Sequence, residues 1–244
     1  MSKLKGKTVL VTGGGSGIGA ASAKALLDEG ANVAIAGRDQ KKLDELAKSL
    51  GNVLAVSCDV SDKDQVKSLI DTVTKKLGPI DILVNNAGTN LKERTFRELT
   101  PESWDKLIRT NLDGAFYTIH AVFPSMLARK DGLIINIVSV AGKRASPLGG
   151  VAYAASKFGQ AALGIGLAAE EKGSGIRVCN IYPGEVDTPI LVFRPKPITE
   201  DHRAKILRPE DIADAVRFVA TLPPHATTEA MIERPRTRER TPRT

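Results

Sequence analysis

The sequence is poor in cysteine, in aromatic residues and in long apolar runs. Its two cysteines, Cys58 and Cys179, both sit in apolar strand-like stretches, "NVLAVSCDV" and "IRVCNIYPG". Two such residues cannot staple a disulfide scaffold, and free buried thiols in a reducing compartment are expected. Aromatic residues make up 4% of the chain, against plentiful Ala, Val, Ile and Leu and 22 Gly. That balance suits helices packed closely on a parallel sheet better than a β-sandwich. No apolar run reaches the length of a membrane span, and "MSKLKGKTVLVTGGG" passes into a strand pattern at once. Neither a transmembrane helix nor a signal peptide is expected, and the expected setting is the cytoplasm.

Nucleic-acid binding also lacks its usual signs. The net charge is +7, but "RPRTRERTPRT" from Arg234 onward carries five Arg against one Glu, so the rest of the chain is nearly balanced. A Pro/Thr/Arg stretch of this kind cannot bury enough apolar surface to order itself, and residues 234–244 read as a basic, solvated tail. No RNP, KH or zinc-finger pattern accompanies it. A specific nucleic-acid partner is not expected, and neither is a metal site.

What is present is an α/β pattern. The 42% hydrophobic content is ample for a buried core over 244 residues. Strand-length apolar runs at 7–12, 32–37, 52–57, 80–85, 133–139, 176–182 and, weakly, 229–233 show no in/out alternation. Strands of that kind are buried on both faces, as in a parallel sheet covered by helices. Helix-period stretches at 17–29, 40–50, 62–77, 101–128, 152–173 and 209–222 separate them, with Ser61 and Thr100 as expected N-caps and Gly30, Gly78 and Gly173 as stops. Right-handed crossovers then predict a doubly wound Rossmann-type sheet of order 3-2-1-4-5-6-7 with helices on both faces, one domain over residues 1–233. Residues 186–208, "VDTPILVFRPKPITEDHRAKILR", form a connection longer than a compact domain usually needs, and a loop that long is usually functional or mobile.

"TGGGSGIGAA" (12–21) follows the first strand and opens a helix. Gly13, Gly17 and Gly19 let the backbone turn tightly and approach a phosphate at the helix N-terminus. No Lys-Ser/Thr pair follows to make a nucleoside-triphosphate loop, so a dinucleotide is favoured. The second strand ends "AIAGRD". An acid at that point would accept from a ribose 2′-hydroxyl; Gly37 and Arg38 stand there instead, and Arg38 suits a 2′-phosphate. NADP(H) is therefore the expected cofactor, with NAD(H) as the second possibility. "CDV" (58–60) and "NNAG" (85–88) lie at strand carboxyl ends, where open α/β sheets bind ligands.

"YAASK" places Tyr153 and Lys157 one helical turn apart. A phenol with a pKa near ~10 is a poor proton shuttle at neutral pH, and an ammonium beside it would stabilise the phenolate. Taken alone, the pair also fits a packed tyrosine beside a lysine lying along apolar surface. Ser139 ends "LIINIVS", and Asn111 interrupts a strongly helical stretch in which Asn is a mediocre helix former.

The ordered series "TGGGSGIG", "CDV", "NNAG", "IRTNLDGAF", "NIVSVAG", "YAASK" and "PGEVDTP" resembles the short-chain dehydrogenase/reductase family from about Lys7 to Pro189, and more loosely to Pro235. The resemblance implies an NAD(P)-dependent oxidoreductase that moves a hydride between nicotinamide and a carbonyl or secondary-alcohol substrate. It implies Tyr153 as catalytic acid/base, Lys157 as its partner, Ser139 as the carbonyl-orienting hydroxyl and Asn111 as a water-positioning residue. It places cofactor contacts at Gly13, Ser16, Gly17, Ile18, Gly19, Arg38, Asp59, Val60, Asn86, Gly88, Val186 and Thr188, with Tyr153 and Lys157 sharing in them. It implies a homodimer or homotetramer, with a dimer through helices 101–128 and 152–173. At the C-terminus the sequence departs from the family, reading "TTEAMIERPRTRERTPRT" where many members have a Gly-rich segment. The alternative is a non-catalytic redox sensor that binds a nicotinamide dinucleotide without turnover.

Overall fold

The computed structural model describes residues 2–236, so most of the stretch read as a basic tail, 237–244, lies outside the described residues. The first half alternates β1 (Thr8–Thr12), α1 (Gly17–Asp28), β2 (Asn32–Gly37), α2 (Gln40–Leu50), β3 (Val53–Ser57), α3 (Lys63–Leu77) and β4 (Ile82–Asn85). The second half holds α4 (Pro101–Ile108), α5 (Gly114–Arg129), β5 (Gly132–Ile137), α6 (Val151–Glu170), β6 (Ile176–Pro183), α7 (Glu200–Arg203), α8 (Pro209–Ala220) and β7 (Ala230–Glu233). All seven strands join one parallel sheet in the expected order β3-β2-β1-β4-β5-β6-β7.

The unbroken apolar runs have a simple cause. Val9, Val11, Val33 and Ile35 face the layer of Leu26 on α1 and Val216 on α8, while Leu10, Ala34 and Ile134 between them face Leu69 on α3 and Met126 on α5. Each fully buried aliphatic side chain contributes roughly 1.5–3 kcal/mol. Neither face of the sheet can then accept polar residues without a partner for each.

One polar row crosses this core. Asn85, Asn136 and Asn180 are register partners on β4, β5 and β6, and all three are buried. Asn85 Nδ2 donates to Ala115 O of α5 at 3.0 Å and to Asn136 Oδ1 at 3.4 Å. Asn136 Nδ2 donates to Asn180 Oδ1 at 2.9 Å, and Asn180 Nδ2 donates to Ala161 O of α6 at 3.0 Å. A Cβ at Gly164 would stand 2.2 Å from Asn180 Oδ1, so only glycine lets α6 come this close. The row thereby fixes α5 and α6 on the sheet.

Three local expectations are corrected. The stretch 101–128 is not one helix: α4 and α5 are joined by a π-helical turn, Arg109–Asp113, with buried Asn111 inside it. The extra residue of such a turn bulges the backbone and re-aims a side chain. The N-cap of α3 is Asp62 rather than Ser61; Asp62 accepts from the N–H groups of Asp64 and Gln65, while Ser61 turns back to Asp59. The fifth strand stops at Ile137, and Ser139 instead caps a 3-10 turn, Val140–Gly142, accepting from Ala141 N at 3.1 Å.

The long connection closes on itself. Asp187 N donates to Leu207 O at 2.8 Å and Leu207 N to Glu185 O at 3.0 Å, so the excursion leaves and returns at one point of the sheet edge. It carries a 3-10 turn, Pro189–Phe193, and the short helix α7.

Candidate active site

At the carboxyl end of the sheet, the turn after β1 is laced to the end of β4. Asn86 N and Ala87 N donate to Thr12 Oγ1 at 3.0 and 3.1 Å, and Asn86 Nδ2 donates to Thr12 O and Gly13 O at 2.9 and 3.1 Å. Gly13 has φ +62, and a Cβ at Gly19 would fall 2.2 Å from Gly13 O, so the loop folds onto the start of α1 only with glycine at both places. Ser16, the N-cap of α1, makes no side-chain cap bond, and the first turn of the helix carries no acid. The free N–H groups there face the crevice with nothing of the chain's own to neutralise them.

The β2 end forms the next wall. Arg38 is exposed, and the neighbouring acid, Asp39, caps α2 by accepting from Lys42 N at 3.2 Å. Its other oxygen lies 3.8 Å from Lys42 Nζ, which leaves Arg38 as the rim cation with no ion pair among the described residues. Beyond β3, Asp59 Oδ1 accepts from both the backbone and hydroxyl of Ser61, at 3.0 and 2.7 Å, and Val60 is buried against Gly114. Burial pushes the Cys58 thiol up to about 11, with Asp59 and Asp62 adding to the effect, so it remains a packed thiol.

The Ser/Tyr/Lys group closes the crevice on the β5 side. Tyr153 stands in the first turn of α6, half-buried in the cleft wall. Burial raises its phenol above the ordinary value, while the Ser139 hydroxyl and the charge of Arg94 act to lower it. Lys157 is buried, and burial lowers its pKa to about 7. Its Nζ donates to Ile137 O at 3.0 Å and to Gln160 Oε1 at 2.7 Å, and lies 6.0 Å from the centroid of the Tyr153 ring. Two cations thus stand near Tyr153: Arg94, whose charge bears on the phenol, and Lys157, whose Nζ is anchored at the end of β5.

Asn111 braces the group from behind. Its Oδ1 accepts from Thr89 N at 2.8 Å, and its Nδ2 donates to Thr89 O and Ser156 Oγ, each at 3.0 Å; Ser156 Oγ donates in turn to Tyr153 O at 2.8 Å. The π turn therefore aims one amide at both the loop after β4 and the helix that carries Tyr153. A Cβ at Gly88 would meet Asn111 Oδ1 at 3.4 Å and Lys157 Nζ at 3.5 Å, which puts both polar atoms beside the same bare backbone.

These walls enclose a cleft of about 710 Å3. Apart from Gly19 and Asn111, which stand behind the wall, every site residue named from the sequence lines it. Three lining or supporting residues escaped the sequence reading: Lys42, Arg94 and Gln160. Gln160 is legible in hindsight, three residues after Lys157 on the same face of α6. Arg94 has no local signal, since two of the carbonyls it binds belong to Leu148 and Phe193, far along the chain.

A parallel, doubly wound sheet with a Gly-rich turn at its switch point and a polar crevice over its carboxyl ends defines a Rossmann-type protein. The short chain dehydrogenase family model matches residues 7–197, and the chain belongs to that family and is an oxidoreductase. It is 38% identical over 240 residues to an uncharacterised oxidoreductase of Staphylococcus saprophyticus, covering 96% of this chain and all of the relative. Among solved structures it resembles the closed form of a serine dehydrogenase complexed with NADP+, with TM-score 0.88 and 32% identity over 97% of this chain and 98% of the other. It also resembles a 3-ketoacyl-(acyl-carrier-protein) reductase from Brucella melitensis complexed with NADH, with TM-score 0.86 and 29% identity over 94% and 97%.

Proposed function

We propose that this chain is a carbonyl reductase or alcohol dehydrogenase that uses a nicotinamide dinucleotide, NADP(H) in preference to NAD(H), with residues 1–233 acting as one domain. The observation that carries the reading is that Ser139, Tyr153 and Lys157 line one cleft together with the Gly-rich turn. The residues fit the cofactor. The glycine cradle and uncapped start of α1 suit a pyrophosphate, and Arg38 suits a 2′-phosphate because Asp39 is committed to capping α2 and pairing Lys42.

When bound, the nicotinamide donates or accepts the hydride at the substrate carbon. Ser139 and Tyr153 hold the substrate oxygen, and Tyr153 gives that oxygen its proton in reduction or removes it in oxidation. Lys157, held in place by Gln160 and Ile137 O, supplies the positive charge that supports a phenolate, and it titrates near neutrality. Asn111 is the residue that would hold a water between Gly88 and Lys157 to return the proton to solvent. Asp59, Val60, Asn86, Gly88, Val186 and Thr188 line the path the cofactor would take from adenine to nicotinamide.

A homo-oligomer built on α5 and α6 and a cytoplasmic setting belong to the same reading. The first is supported by exposed Phe116 on α5 and Ile165 on α6. The second is supported by two free, buried cysteines, and no helix among the described residues is long and apolar enough to cross a membrane.

The test is oxidation of NADPH, and separately of NADH, by the purified protein over ketones, aldehydes and keto acids, with Tyr153→Phe alongside. Turnover on any of them that falls by about a thousandfold in the variant supports the reading. Turnover that survives in Tyr153→Phe overturns the assignment of Tyr153. Silence on every carbonyl despite NADPH binding overturns the enzyme reading.

A further inference from the structure

Arg94 sits in the substrate wall of the cleft, with 9% of its surface exposed. Its Nε donates to Leu91 O at 3.0 Å, one terminal nitrogen donates to Leu148 O and the other to Phe193 O at 2.8 Å. The side chain therefore ties together the loop after β4, the loop before α6 and the 186–208 excursion. Its own backbone packs on the start of α6: Val151 N donates to Arg94 O at 3.4 Å, and a Cβ at Gly150 would lie 3.0 Å from Arg94 Cβ.

All three partners are neutral carbonyls, and among the described residues Arg94 forms no ion pair. The nearby Arg194 differs, being neutralised by Glu185 at 2.5 Å. Burial and the Arg194 charge both work against the charged form of Arg94, yet a guanidinium does not give up its proton in proteins. Asn85, Asn111 and Asn180 show that a backbone carbonyl in this core can be served by a neutral donor. A guanidinium has five N–H donors, and the three carbonyls leave two unassigned. A fixed, nearly buried, uncompensated cation with donors to spare, in the same wall as Tyr153, is the arrangement a carboxylate completes.

We propose that Arg94 binds a carboxylate of the substrate, so that the carbonyl or alcohol this chain takes is a keto acid or a hydroxy acid. The inference rests on the reading of the cleft as a carbonyl and alcohol site. The bound carboxylate would set the distance from its own carbon to the carbonyl held by Ser139 and Tyr153. It would also complete the clasp that Arg94 makes between the three loops.

The experiment compares kcat/KM for short α-keto and β-keto acids with that for their methyl esters, in the wild type, Arg94→Lys and Arg94→Met. The acid is expected to be favoured over the ester by about tenfold to a hundredfold in the wild type, the range of a charge-assisted hydrogen bond. The ratio should fall partway in Arg94→Lys and close to one in Arg94→Met. If Arg94 is only a clasp, acid and ester fall together in the variants and their ratio stays as in the wild type; that result overturns the proposal. Calorimetric binding of butyrate and butyramide to the protein with NADP(H) gives a reading free of turnover, and equal binding of the two also overturns it. Turnover of neutral ketones that depends on Tyr153, with no preference for acids, removes the inference and leaves the site. Butyrate binding that depends on Arg94, with no turnover on any carbonyl, removes the enzyme reading and leaves the anion site.

Discussion

Gln160 accepts a 2.7 Å hydrogen bond from Lys157 through Oε1, while its own Nε2 has no partner in the described structure and the residue is fully buried. An orphaned buried amide donor costs about 1–3 kcal/mol. The arrangement is retained where it fixes the direction of the one ammonium behind Tyr153, which makes Gln160 a positioning residue.

That role predicts a displaced pH profile. Removing an acceptor from an ammonium disfavours its charged form, so Gln160→Leu should move the alkaline limb of kcat to lower pH, by up to about one unit. Gln160→Glu should move it the other way. Identical limbs in all three proteins would leave Gln160 with a packing role only.

Lys157 also predicts how stability depends on pH. Its pKa is about 7 in the folded chain and 10.5 for the free side chain, so between those values the unfolded chain binds the additional proton. Stability should rise with pH across that window, by at most about 1.4 kcal/mol per pH unit. Urea unfolding of the cofactor-free protein at several pH values, repeated on Lys157→Met, checks this; the variant should lose that slope.

Arg38→Ala should weaken NADPH on the order of ten- to a hundredfold while moving NADH far less. Fluorescence titration with each cofactor separates the two cases. Equal weakening would assign Arg38 to stacking on adenine or to packing.

Asn111→Ala removes the three hydrogen bonds of a fully buried side chain, two of them to the backbone of Thr89. A loss of about 2–4 kcal/mol is expected, with Thr89 N–H and C=O left unpaired. Denaturant midpoints give the first number, and hydrogen exchange at Thr89 shows whether the strain is local.

The sheet was legible because its signal is local and repeated: strand, Gly turn and helix recur in order, and buried strands show no alternation. The site was legible for a related reason, since the residues that close it sit at strand ends and on one turn of α6. What stayed hidden was long-range. Arg94 becomes a site residue only when residues 148 and 193 fold against it, and no local pattern carries that information. The π turn at Arg109–Asp113 was legible only as a weak helix former in the wrong place, because its cause is the pull of Thr89 and Ser156 on Asn111. The cap at Asp62 displaced Ser61 because Asp59 claims the serine first.

The row Asn85, Asn136, Asn180 also bears on how the chain finds its pairing. Apolar strands of Val, Ile and Leu are nearly interchangeable, and oil alone does not tell one alignment from the next. A slip of one residue between β5 and either neighbour would swing Asn136 to the opposite layer and separate it from both amides, stranding it in the apolar layer that holds Val11 and Ile212. The three asparagines thus act as a key cut into an otherwise featureless core. They penalise a wrong alignment of β4, β5 and β6, the strands that lead into Asn86, Ser139 and the 186–208 excursion.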